Sequence, residues 1–143
     1  MSASGLPVPA PTVTEETREF WEALAQSRFV LPRCNACSAW IWYPRALCPA
    51  CGGLDTSWQD VSGRGRIYSY TVVRKSGLPG WSDAVPYVVA YVELEEGPRV
   101  MTNIVGCDPD ALSIGTRVRV VMPTGADGGA VFRFEPEGDQ PTR

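Results

Sequence analysis

The sequence predicts a mainly β chain: an N-terminal helix, then a small metal-holding ribbon, then a five-stranded barrel. Three observations carry this. Four of the five cysteines stand in two C-x-x-C pairs, Cys34/Cys37 and Cys48/Cys51, separated by ten residues. Ahead of them, "TEETREFWEALAQSR" places apolar residues at helical spacing. Behind them, short segments rich in β-branched and aromatic residues alternate apolar with polar positions.

The chain has 143 residues, 44% hydrophobic and 20% charged, the size of one ordinary domain or two small ones. No apolar run approaches the ~20 residues of a membrane span. The start, "MSASGLPVPAP", has neither the basic nor the apolar region of a secretory signal, so a cytoplasmic location is expected. There, paired C-x-x-C spacing points to metal thiolates rather than disulfides. A net charge of -3 argues against nucleic acid, whose phosphates need an excess of Lys and Arg. The chain has no histidine, which removes the usual general base and every Ser-His or Cys-His dyad.

Residues 1–13 are rich in Ser, Gly and Pro and are expected to be flexible. Residues 14–28 are expected to form the helix, N-capped by Thr12 or Thr14, with Glu15 and Glu16 where the helix dipole favours carboxylates. Its stripe, Phe20, Trp21 and Leu24, docks either on the chain's own core or on a partner. Residues 29–60 form the ribbon, with "FVLPRC" and "SAWIWYPRALC" as short strands beside the metal knuckles. Residues 61–137 hold five strands, expected at 65–75, 87–97, 98–107, 117–123 and 130–137. A long loop, 76–86, follows the first strand. Asp108 and Pro109 open a helical turn between the third and fourth. That order is the order of an OB-fold barrel. Residues 138–143 are expected to be a flexible tail.

Two residues between thiolates allow a turn that aims both sulfurs at one ion, and two such knuckles complete a tetrahedron. Gly52, directly after Cys51, suits the left-handed backbone that such a knuckle requires; Ser38 occupies the equivalent place after Cys37. Zinc is the default metal, and iron shares the ligand set in rubredoxin-like sites. Four thiolates leave no open position, so the metal is structural. Trp40, Trp42 and Tyr43, between the knuckles, either pack inward or present an aromatic face to a partner. Cys107 has no activating histidine and is expected to act as a small buried hydrophobe.

Several pieces together carry a family likeness: "FW" in the helix, "YPR" between the knuckles, "GRGRIYSYTV", and "IVGCDPD" followed by "IG". From about residue 16 to residue 136 the chain resembles the zinc-ribbon/OB-fold proteins associated with acyl-CoA metabolism. The resemblance implies a non-catalytic auxiliary subunit of a thiolase-like enzyme, such as a lipid-transfer-type thiolase or a steroid side-chain aldolase. A hot-dog-fold hydratase is a further partner it suggests. It implies structural zinc on Cys34, Cys37, Cys48 and Cys51, and a partner face at Phe20, Trp21, Trp40, Trp42 and Tyr43. It also implies a barrel that helps bind a coenzyme A thioester, for which Arg74, Lys75 and Trp81 are the candidate contacts. The partner would supply the chemistry. Two other readings compete: an OB-fold nucleic-acid binder stacking bases on Tyr68 and Tyr70, and a rubredoxin-like electron carrier holding iron.

Overall fold

A computed structural model describes residues 5–138. One helix, α1 (Arg18–Ala25), precedes seven strands: β1 (Val30–Cys34), β2 (Thr56–Asp60), β3 (Arg64–Val73), β4 (Tyr87–Leu94), β5 (Arg99–Ile104), β6 (Arg117–Val121) and β7 (Arg133–Pro136). β1 and β2 form a two-stranded antiparallel ribbon. The other five close into a barrel in the order β3-β4-β5-β7-β6, with β3 pairing β6 to seal it. Among the described residues, only the β5–β7 contact is parallel. A single helical turn, Pro109–Ala111, lies between β5 and β6 and is capped by the Asp108 side chain. This is the barrel that the strand order anticipated.

The helix is shorter than expected. Thr17 is buried and its hydroxyl exchanges hydrogen bonds with Thr14, so residues 15–17 form a turn and the helix begins at Arg18. Its end is a Schellman cap. Arg28 N–H donates to the Ala23 carbonyl and Ser27 N–H to that of Leu24, with Ser27 left-handed at φ 63°. "SAWIWYPRALC" also departs from expectation. It contributes one isolated bridge, Trp40 to Arg33, rather than a strand. Its residues instead pack individually, with Ile41 buried among Cys34 and Cys48.

One aromatic junction joins the three parts. Phe20 of α1 meets Phe29, Trp42 and Phe132 at centroid distances of 6.2, 5.5 and 5.9 Å. Below it, alternate residues of the barrel strands fill the interior: Ile67, Val88, Ala90, Val92, Val100, Val118 and Phe134. Phe20 is fully buried here, so its expected place on a partner face is corrected: it is a core residue.

The N-terminal segment is not a free arm. Leu6 is buried, and the Pro7 carbonyl accepts a hydrogen bond from Arg133. Residues 1–4 and 139–143, expected to be flexible, lie outside the described residues.

Candidate metal centre and partner face

The two knuckles are built alike. Cys34 N–H donates to the Ala39 carbonyl and Cys48 N–H to that of Gly53, at 2.9 and 2.8 Å. Ser38 N–H closes on the Cys34 carbonyl and Gly52 N–H on that of Cys48. Ser38 and Gly52 are both left-handed, at φ 68° and 79°. The glycine after Cys51 foretold this for Gly52; Ser38, at the equivalent place after Cys37, takes up the same conformation without a glycine's freedom.

The sulfurs converge as a metal requires. Cys34 Sγ lies 3.7 Å from Cys51 Sγ, and Cys37 Sγ lies 3.7 Å from Cys48 Sγ. All four ligand atoms fall within 4.8 Å of one another. A tetrahedron with zinc–sulfur bonds of about 2.3 Å has edges of about 3.8 Å. The donor set therefore fits zinc, and every tetrahedral position is filled by protein. A hydrogen bond from the Cys37 amide draws the Cys34 thiol down to about 7. The Ala39 amide favours the Cys37 thiolate, but burial and the neighbouring sulfurs prevail and push that thiol up to about 11. Bound zinc would hold all four as thiolates, releasing their protons.

The aromatic residues between the knuckles do two things. Trp42 packs on Phe20, Tyr43 and Phe132, while Trp40 carries the Arg33 guanidinium 4.5 Å above its ring. Both tryptophans are half-buried, and Tyr43 is exposed. Trp40 and Trp42 also line a groove of about 490 Å³ between the ribbon and the β4–β5 turn, with Ala39, Glu96, Pro98 and Arg99. Glu96 Oε2 accepts from Ser62 N–H, but its Oε1 is buried with no partner, as is Trp21 Nε1, among the described residues.

Arg74, Lys75 and Trp81 do not converge. Arg74 is exposed and pairs with Asp110 at 3.0 Å. Trp81 packs at a tilt on Tyr87 and lines an apolar groove with Leu78, Val89 and Met101, which neither basic residue reaches. Cys107 packs against the core, half-buried, and burial together with Asp108 raises its thiol, which disfavours a nucleophile. The outward-turned Tyr68 marks a bulge in β3, with the Arg99 guanidinium 3.9 Å above it. Sequence reasoning missed two residues: Arg133, buried on β7, and Glu96, whose burial depends on a turn folding back over the ribbon.

The closed thiolate site and the barrel together define a zinc-ribbon/OB-fold protein. Comparison with known proteins narrows the class. Residues 21–57 match the model of the ChsH2 rubredoxin-like zinc ribbon domain, and residues 58–122 that of the ChsH2 C-terminal OB-fold domain. A DUF35 domain-containing scaffold protein of Methanothermobacter thermautotrophicus is 40% identical over 133 residues, covering 85% of this chain and 97% of its own. The chain belongs to this DUF35 family. It is also 40% identical over 110 residues to a probable enoyl-CoA hydratase alpha subunit of Thermomonospora curvata, covering 77% of this chain but only 34% of that longer protein. Among solved structures, the chain matches the Ltp2-ChsH2(DUF35) aldolase with a TM-score of 0.80 and 36% identity, covering 88% of this chain and 98% of that one. Among the described residues, no helix is long and apolar enough to cross a membrane.

Proposed function

We propose that this chain is a non-catalytic scaffold subunit that binds a thiolase-like acyl-CoA enzyme, a lipid-transfer-type thiolase or retro-aldolase. The observation that carries the reading is the match to the DUF35 chain of the Ltp2-ChsH2 aldolase, which spans nearly all of that chain. The chemistry is consistent with it. The metal is coordinatively closed, histidine is absent, and the residues left half-exposed are the kind that anchor interfaces. The face in question is the groove at Trp40, Trp42 and Arg99, with exposed Tyr43 packed against Trp42. A partner reaching this groove could satisfy the orphaned Glu96 oxygen, which a burial argument alone leaves costly.

A coenzyme A thioester would lie on the barrel, its phosphates toward Arg74 and Lys75 at the β3 end. Co-expression with a thiolase-like or hydratase partner tests the proposal. The expected result is a stable complex with more activity than the partner alone, weakened at least tenfold in affinity by Trp40→Ala, a typical hot-spot loss of about 2 kcal/mol. A chain that stays alone beside every such partner would refute it.

A further inference from the structure

Arg133 is the one charged side chain among the described residues that is buried, at 4% exposure. Its guanidinium has five N–H donors. Among the described residues it makes one hydrogen bond, to the Pro7 carbonyl, and forms no ion pair. Its remaining neighbour of note is the Trp81 ring, centred 6.0 Å away. Burial lowers its pKa below the ordinary arginine range.

Its surroundings have the form of a covered site. Residues 5–8 lie over it: Leu6 is buried, and a Cβ on Gly80 would meet Pro7 at 3.4 Å. The same Trp81 indole lines the apolar groove of about 340 Å³, with Leu78, Tyr87, Val89 and Met101. That volume lies in the range of small-molecule sites, about 300–1,000 Å³. Thr102, also in the groove, donates to the carbonyl of Phe132, the residue before Arg133.

We propose that Arg133 is the anion-binding end of a ligand site, closed by residues 5–8, that takes a small amphiphilic carboxylate. The carboxylate replaces the Pro7 carbonyl on the guanidinium, and the apolar tail lies in the groove at Trp81 and Met101. A carboxylate matches the fork of the guanidinium in charge and geometry. The apolar groove selects a ligand with a tail over a bare anion.

The test uses the full chain, titrated with octanoate, octanol and inorganic phosphate, followed by calorimetry and tryptophan fluorescence. Octanoate is expected to bind saturably, with octanol and phosphate each about tenfold weaker or more, the size of a lost charge-assisted hydrogen bond. Arg133→Met should abolish the preference for octanoate over octanol while leaving Tm unchanged or higher. Leu6→Ser loosens the covering segment and should tighten octanoate binding severalfold, because more of the chain is competent to bind. The proposal is overturned if octanol or phosphate binds as well as octanoate, if Arg133→Met keeps full affinity, or if Leu6→Ser weakens binding.

Discussion

Ser38 and Gly52 hold equivalent positions in the two knuckles, and exchanging their chemistry measures what the left-handed backbone costs. At φ 68° Ser38 bears the penalty of an L-residue in that region, about 1–2 kcal/mol. Its main chain does the structural work: N–H donates to the Cys34 carbonyl, and its own carbonyl accepts from Arg33 Nε at 2.9 Å. Glycine keeps both bonds. Ser38→Gly therefore relieves the strain but returns about 0.4–1 kcal/mol through the greater freedom of the unfolded chain. The net gain should be about 0.5–1 kcal/mol. Since zinc binding and ribbon folding are linked, that appears as about two- to fivefold tighter zinc. Gly52→Ser should do the opposite. A Cβ there meets nothing within 4 Å, so its cost is torsional alone. Competition for zinc against a chromophoric chelator reads both variants. Weaker zinc in Ser38→Gly, or unchanged zinc in Gly52→Ser, would refute the account of the knuckle.

Zinc affinity should fall as pH falls. Without metal, the raised thiols of Cys37 and Cys51 are protonated near neutral pH and each must surrender a proton to the ion; below about 7 Cys34 takes one up too. Calorimetry in buffers of different ionisation heat would register the release. Gly65→Ala should destabilise by about 1–3 kcal/mol, because the new Cβ would sit 2.4 Å from the Glu93 carbonyl oxygen, a backbone atom with little room to yield; chemical denaturation checks this. Phe20→Ala should cost about 3–5 kcal/mol as a buried aromatic. Tyr43→Ala, at an exposed site, should cost under about 1 kcal/mol in denaturation yet weaken partner binding in a pull-down.

The parts of the molecule that were legible in the sequence are those set by local chemistry. Thiolate spacing announces a tetrahedron because a knuckle is only a few residues long, and the sulfurs did converge. Period-two alternation is clear in β4 and β5, where one face is buried along the strand, and in the first half of β3. What was not legible depends on contacts between distant segments. Trp40 to Tyr43 have strand-forming composition, but the ribbon offers them a single bridge, and packing on Phe20 and Phe132 decides their course. The Phe20 stripe reads alike whether it meets the chain's own barrel or another protein. Leu6 and Pro7 carry the composition of a free arm, and only Arg133, far along the chain, reveals why they are held.

Because Phe20, Trp42 and Phe132 interlock, helix, ribbon and barrel cannot be exchanged singly between relatives. A chimaera that grafts a foreign ribbon onto this barrel would inherit two halves of an aromatic joint cut for different mates. Such a graft should melt early with its metal still bound, and should be rescued by transplanting those three rings together, even when every cysteine is left in place.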